Sequence, residues 1–82
     1  MKTFEDWFDI SKDFEGHCYI ENYDVHLFLK KDKIYHRIDG PACINNINGC
    51  CEYWINGMQY TEKEYWDHPL MSENKLNQIL EL

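Results

Sequence analysis

Two Asn-Gly dipeptides enclose a short β-type segment near the middle of the chain, and this stretch decides the fold. Residues 42–60 read ACINNINGCCEYWINGMQY, with the dipeptides at Asn48-Gly49 and Asn56-Gly57. Asn-Gly is favoured in two-residue type I′ turns, which join neighbouring antiparallel strands. If both turns have two residues, Ile44 lies opposite Tyr53, and Tyr53 lies opposite Tyr60. The stretch therefore predicts three consecutive antiparallel strands.

This register divides the side chains of the three strands between two faces. The apolar face consists of Ala42, Ile44, Tyr53, Ile55, Met58 and Tyr60. The opposite face is mostly polar and carries Cys43, Asn45, Glu52, Trp54 and Gln59. Trp54 stands out there, because an exposed aromatic side chain often anchors a partner protein. We therefore predict a partner-binding surface formed by Trp54, Glu52, Gln59 and Asn45; the alternative is that a terminal helix covers Trp54.

Strand signals continue upstream of this stretch, and helix signals flank both sides. Residues 17–29 are rich in β-branched and aromatic types, and the polar run 30–33 predicts a turn. Near the N-terminus, Thr3 can cap a short helix in which Phe4, Trp7 and Phe8 recur at helical spacing. Gly16 is its expected end.

The C-terminal part of the chain carries two further helix signals. Thr61 and Glu64 form a capping box, and the helix that they begin should end before Pro69. Ser72 can cap a last helix, whose narrow apolar stripe either docks on the sheet or mediates homo-oligomerisation. The expected fold is α+β in a single domain over 1–82. It comprises an N-terminal helical segment over 1–16, an antiparallel β-meander of about five strands over 17–60, and C-terminal helices over 61–82 on one face.

Composition limits the function classes. The chain has 82 residues, a formal net charge of −7, 44% hydrophobic and 16% aromatic residues, which predicts a folded soluble domain rather than an acidic tail. No apolar run is long enough to span a bilayer, and the N-terminus lacks a signal-peptide pattern, so we expect a cytoplasmic protein. The negative charge argues against direct binding to nucleic acid or membrane and favours a protein partner with a basic surface. The four cysteines are expected to be free thiols.

The segment 35–42, YHRIDGPA, carries a family resemblance together with the Asn-Gly turns and Trp54. It resembles the H-R-x-D-G-P-A and N-G repeat of small proteins of bacteriophages and large viruses, which are loosely related to MORN-type β-hairpin repeats. The likeness covers about residues 33–66. It implies a viral origin, a hairpin meander and action in the host cytoplasm, and it brings no catalytic residues. We predict structural turn roles for His36, Asp39, Gly40, Pro41, Asn48, Gly49, Asn56 and Gly57.

No pattern of catalytic or metal-binding residues is present, so we predict no catalytic residue, cofactor or metal. His36 and Asp39 could serve as a base and its orienting carboxylate, but a hydrogen bond between them that fixes the D-G-P turn is the preferred interpretation. A possible anion-binding cluster consists of Lys30, Lys31, Lys33 and Arg37.

These observations predict a non-enzymatic phage-type accessory protein. It would bind a host protein and inhibit an antiviral defence system or a toxin. One alternative is a sponge for a nucleotide signal that uses the basic cluster. Another is a nucleic-acid mimic that occupies a basic groove through Asp6, Asp9, Asp13 and Glu15. Further alternatives are an enzyme centred on His36 and a structural oligomer.

Overall fold

A computed structural model describes residues 1–71 as a small α+β protein built on one mixed sheet of seven strands. The strands are β1 (Lys2–Phe4), β2 (Gly16–Ile20), β3 (Val25–Lys30), β4 (Ile34–Tyr35), β5 (Cys43–Asn45), β6 (Cys51–Ile55) and β7 (Met58–Tyr60). Helix α1 (Glu62–Asp67) follows, and a second helical segment begins at residue 69. The predicted last helix over 72–82, with its possible role in oligomerisation, lies outside the described residues.

The strand order is β1-β2-β3-β5-β6-β7, and β4 also pairs with β3. Leu27 lies between Cys18 of β2 and Cys43 of β5, whereas Leu29 lies between Gly16 of β2 and Tyr35 of β4. Strands β4 and β5 therefore share the edge of β3 that faces away from β2. The chain that links them, including the segment 36–42, bridges β3 and β6.

The second Asn-Gly hairpin has the predicted register. Tyr53 pairs with Tyr60, Trp54 with Gln59, and Ile55 with Met58. Asn56 and Gly57 both have positive φ, at 50° and 81°, as a type I′ turn requires. The two-residue turn between β6 and β7 is thus confirmed.

The predicted register of the first Asn-Gly hairpin is wrong by two residues. Ile44 pairs with Cys51 rather than with Tyr53, and the Asn45 N–H donates to the Cys50 carbonyl at 2.9 Å, which leaves a four-residue loop over 46–49. Asparagine side chains stabilise this longer loop: Asn45 accepts from the N–H of Ile47, and Asn48 accepts from the N–H of Cys50, both at 2.9 Å. Because the shift is even, every side chain keeps its predicted face.

The predicted N-terminal helix is wrong. Residues Lys2–Phe4 form β1, which pairs in parallel with β2 and makes the sheet mixed rather than purely antiparallel. Only one 3-10 turn follows, Trp7–Asp9, and Asp6 caps it instead of Thr3. A parallel pairing across 16 residues is a long-range contact that local spacing does not reveal. The expected apolar stripe is also divided, because Trp7 packs on the core whereas Phe8 is 83% exposed.

Two apolar clusters cover opposite faces of the sheet. The first consists of Ile10, Cys18, Ile20, Leu27 and Leu29, with Phe4, Trp7 and Phe14 packed against it. The second consists of Ile55, Tyr65 and Met71, with Tyr53, Tyr60 and Trp66 around it. The capping box of Thr61 and Glu64 begins α1 as predicted, and α1 ends at Asp67, with His68 as its C-cap before Pro69. The helix thus packs on one face, that of Tyr53.

Across residues 1–71, no helix has the length and apolar character needed to cross a membrane.

Candidate functional site

A cleft of about 670 Å³ lies where β6, β7 and the first turn of α1 meet. Its lining consists of Cys51, Glu52, Tyr53, Gln59, Tyr60, Thr61, Glu62 and Glu64. We call it the acidic cleft, because three of these side chains are carboxylates and none is Lys or Arg.

Two local signals in the sequence build this cleft. The Asn56-Gly57 turn brings β7 back along β6, so that Tyr60 lies opposite Tyr53. The capping box then turns the chain into α1: the Thr61 hydroxyl accepts from the N–H of Glu64 at 3.2 Å, and the Glu64 carboxylate accepts from the N–H of Thr61 at 3.0 Å. The chain leaves the sheet at Thr61, which leaves Cys51 and Glu52 of β6 beside the first turn of the helix.

The acidic cleft carries negative charge at neutral pH. The hydrogen bond from the Thr61 backbone holds the pKa of Glu64 below its usual value, so this carboxylate stays ionised. Burial and the nearby Glu62 charge raise the pKa of Tyr53, which keeps its phenol neutral. Carboxylates next to neutral aromatic rings suit a cationic ligand, because the rings also present negative faces.

The four predicted partner-binding residues are only partly brought together. Glu52 and Gln59 line the acidic cleft. Trp54 is half-buried, with its ring 5.0 Å from that of Tyr35, and its indole N–H donates to Glu52 at 3.0 Å. It therefore positions Glu52, and α1 packs on the other face of β6, against Tyr53. Asn45 stabilises the loop over 46–49 instead.

Sequence reasoning missed most of the cleft and predicted a site role for only two of its eight lining residues, Glu52 and Gln59. It assigned no site role to Tyr60, Glu62 or Glu64, although the acidic first turn of α1 was visible in the capping box. That signal places two carboxylates directly after a strand that ends in tyrosine. Only the fold shows that this turn borders the same cleft as Glu52.

The segment 36–41 acts as a brace for the second hairpin rather than as a catalytic group. The expected hydrogen bond between His36 and Asp39 is not formed: His36 Nδ1 accepts from the N–H of Asn56 at 2.9 Å. Asp39 instead pairs with Arg37 at 2.7 Å, and Arg37 also donates to the Pro41 carbonyl at 3.0 Å. Arg37 is the better partner because its extended guanidinium reaches both groups.

Tyr65 connects this brace to α1. Its hydroxyl donates to the Arg37 carbonyl at 2.6 Å and accepts from the N–H of Gly40 at 3.2 Å. The side chain is fully buried, and burial raises its pKa. One tyrosine thus satisfies two backbone groups of the D-G-P reversal.

The four basic residues of the proposed anion cluster have separate contacts. Lys30 Nζ donates to Asn56 Oδ1 at 2.6 Å, and Lys33 Nζ donates to the Trp7 carbonyl at 3.1 Å. Arg37 stacks on the Phe28 ring at 3.8 Å in addition to its pair with Asp39. The side chain of Lys31 has no described polar contact; its backbone N–H donates to Glu15 at 3.3 Å. The contacts of Lys30, Lys33 and Arg37 are thus each with a different part of the protein.

A second groove of about 410 Å³ lies on the face of the first apolar cluster, between exposed Phe8 and Tyr23. Cys43 lies in its floor, where burial and the charge of Glu52 raise the thiol pKa to about 11. This cysteine is therefore protonated and unreactive at neutral pH. All four cysteines are free thiols.

Within residues 1–71, no three His, Cys, Asp or Glu side chains converge as a metal site would require.

Comparisons of the chain with models of protein families, with curated proteins and with solved structures find no match.

Proposed function

We propose that this protein is a non-enzymatic binding protein that takes a basic segment of a partner protein into the acidic cleft. The observation that carries the proposal is the cleft itself: three carboxylates and two tyrosines around about 670 Å³, without a lining Lys or Arg. The chain's net charge of −7 adds long-range attraction toward a basic surface.

The chemistry of the cleft fits a Lys or Arg side chain of the partner. Glu62 offers carboxylate oxygens, which an arginine can engage with two parallel hydrogen bonds. Glu52, which also accepts from the Trp54 indole, adds its charge from the edge of the cleft. Tyr53 and Tyr60 offer aromatic faces to the same cation. Glu64 is already bound to the N-terminus of α1, so it contributes charge rather than a free hydrogen-bond acceptor.

Two features support a non-catalytic role. His36 Nδ1 is occupied by the Asn56 N–H, which removes it as a general base at that nitrogen. Cys43 is a protonated thiol in an apolar groove, without the depressed pKa of a nucleophile.

The resemblance to phage hairpin-repeat proteins extends the proposal to the kind of protein that the partner is. We expect a host protein in the cytoplasm, either a toxin or a component of an antiviral defence system, whose basic surface is blocked by this chain. A basic surface of that kind often serves to bind nucleic acid, so the mimicry alternative becomes a form of the same inhibition. The dispersed contacts of Lys30, Lys33 and Arg37 give no comparable support to the nucleotide sponge.

The test is capture from host lysate followed by affinity measurement on the purified pair. The cleft variant carries Glu52→Gln and Glu62→Gln, since glutamine keeps the shape and the acceptor for Trp54. The matched control carries Glu5→Gln and Glu21→Gln, which removes the same charge outside the cleft lining. We expect the control to bind like the wild type and the cleft variant to bind at least about tenfold more weakly.

The binding should also weaken with added salt, because the attraction is electrostatic. A partner that binds both variants equally would overturn the cleft as the site. Turnover of a substrate by the purified protein, with no stoichiometric partner, would overturn the non-enzymatic proposal.

A further inference from the structure

Two histidines meet on the sheet face opposite the first apolar cluster. His17 of β2 and His26 of β3 occupy diagonal positions, since His17 pairs with Phe28 and His26 pairs with Tyr19. His17 Nε2 and His26 Nδ1 share a hydrogen bond at 2.9 Å, so one of the two nitrogens carries a proton. The nine-residue spacing between them gives no metal-binding signal in the sequence, so only the strand pairing reveals the juxtaposition.

Neighbouring aromatic side chains hold both rings in place. The His17 ring stacks on Phe28 with centroids 4.4 Å apart and an angle of 9°. The His26 ring lies 5.0 Å from Tyr19, whose hydroxyl donates to Asp24 at 2.5 Å. Both histidines are only half-buried, so the pair is supported from the sheet and open to solvent. Donor atoms that are positioned in advance lose little entropy when they bind a ligand.

The spacing of the two nitrogens suits a shared metal ion. Zinc–imidazole bonds of about 2.0–2.1 Å place two ligand nitrogens about 2.9 to 3.4 Å apart, for angles between square and tetrahedral. The observed 2.9 Å is at the short end of that range. A metal ion therefore takes the place of the shared proton. It requires little change in the distance between the nitrogens, but both rings must turn so that their lone pairs point at the ion.

We propose that His17 and His26 form a two-histidine site for a borderline divalent transition metal, such as Zn²⁺ or Cu²⁺. On metal binding, the proton of the hydrogen bond between the rings moves to the outer nitrogen of the ring that carried it. Each neutral imidazole then donates one lone pair, and the neutral pair releases no proton overall. No third His, Cys, Asp or Glu of residues 1–71 joins the pair, so water completes the coordination. Imidazole ligands favour Cu²⁺ over Zn²⁺ in affinity, and we expect that order here.

Nearby charges set a limit on the affinity. Arg37 lies over the other side of the aromatic row, 3.8 Å from the Phe28 ring, and its positive charge opposes a bound dication. Asp24 faces the pair through Tyr19, and Asp39 neutralises part of the Arg37 charge. With two protein ligands and these opposing charges, we expect a reversible site that exchanges its metal rather than a structural one.

The experiment is a titration of Zn²⁺ and Cu²⁺ into protein with Cys50→Ser and Cys51→Ser, because these two exposed thiols would otherwise compete. In this background, His17→Asn and His26→Asn each remove one ligand. His68→Asn is the matched control, since His68 lies on α1's C-terminal cap, away from the pair. Even the loss of an outer-shell partner of a ligand costs about 10- to 100-fold in affinity, so we expect at least that loss from either ligand variant and no change in the control.

A second measurement does not depend on the variants folding. In the same background, Zn²⁺ should shift the imidazole nitrogen resonances of His17 Nε2 and His26 Nδ1 and leave those of His36 and His68 in place. Bound Cu²⁺ should show hyperfine coupling to two nitrogens. Equal affinity in His17→Asn and the control, or equal shifts on all four histidines, would overturn the proposal.

Discussion

The two Asn-Gly hairpins share a dipeptide and one strand, yet they form different turns. In the second hairpin, Asn56 and Gly57 both have positive φ and form a two-residue loop. In the first hairpin, only Gly49 of the dipeptide has positive φ, and the loop has four residues. The difference comes from contacts outside the dipeptides. The residues around a turn, rather than its central pair alone, decide its length and register.

Tertiary contacts hold the second turn from one side. The Gly57 N–H donates to the Tyr35 carbonyl at 2.9 Å, and the Asn56 N–H donates to His36. The first turn is held by Asn46, which donates from its backbone to the Asp24 carbonyl and from its side chain to Asp24 Oδ1, both at 3.0 Å. Drawing Asn46 out of the ladder toward Asp24 favours the longer loop.

We expect the largest loss of stability when the buried side chain that supports the second hairpin, Tyr65, is replaced. Tyr65→Ala should lower the free energy of unfolding by about 3–5 kcal/mol, because it leaves a cavity beside Tyr53. Tyr65→Phe should cost about 1–3 kcal/mol, because the Arg37 carbonyl and the Gly40 N–H lose their shared partner. Urea denaturation gives both values.

Tyr23→Ala is the control for this pair, since Tyr23 is 51% exposed in the turn between β2 and β3. It should change stability by about 0.5 kcal/mol or less. A Tyr65→Phe variant as stable as the wild type would contradict the role of the hydroxyl in bracing the D-G-P reversal.

Replacing the turn glycine should destabilise the second hairpin more than the first, because the added Cβ is more strained there. Gly57 has φ of 81°, and an added Cβ would lie 3.2 Å from Ile34 Cγ2, so Gly57→Ala should cost about 2 kcal/mol. Gly49 has φ of 72° but open space around it, so Gly49→Ala should cost about 1 kcal/mol. Thermal unfolding of the two single variants measures the gap. Equal costs would mean that Ile34 yields without strain.

Replacing the turn asparagines should also destabilise the second hairpin more than the first, but by smaller amounts. Asn56→Ala places alanine at φ of 50° and removes the acceptor for Lys30, so we expect a loss of about 1 kcal/mol. Asn48→Ala removes only the exposed acceptor for the Cys50 N–H, and about 0.5 kcal/mol is expected. Cross-strand amide contacts in NMR spectra should keep Ile44 opposite Cys51 in both. A register change in Asn48→Ala would show that this side chain sets the loop length.

The parts of the fold that sequence predicted are those set by neighbours along the chain. The β6–β7 register follows from Asn56-Gly57, the start of α1 follows from Thr61 and Glu64, and the two faces follow from strict alternation. Even a wrong register for β5 kept the faces, since the error was two residues. Local chemistry therefore determined the C-terminal half.

The parts that failed depend on distant contacts. Parallel pairing of Lys2 with Cys18 made a strand from residues whose spacing favours a helix. Arg37 displaced His36 as the partner of Asp39, because the fold brings Asn56 to His36. Only Glu52 and Gln59 of the acidic cleft could be predicted as site residues, because its other wall depends on how α1 docks. The types of the residues could be used for prediction, but the distant residues that they contact could not be predicted.

Acid should weaken the second hairpin selectively, because its turn depends on neutral His36. His36 Nδ1 accepts from the Asn56 N–H, so protonation at that nitrogen removes the acceptor. Burial, and then the charge of Lys30, lower the pKa of His36 below its ordinary value of 6.5. A lowered folded pKa gives stability that is complete above 6.5 and is lost as pH falls through the folded value.

His36→Asn tests this dependence, because the asparagine oxygen can occupy the position of Nδ1 without titrating. Between pH 7.5 and 5, the wild type should lose up to about 1 kcal/mol more than the variant; the half-buried ring keeps the difference small. His17, whose pKa burial also lowers, titrates in both proteins and cancels in the comparison. Identical pH profiles would show that the Asn56 N–H does not rely on the imidazole, and that the type I′ geometry of Asn56-Gly57 alone sustains the second hairpin.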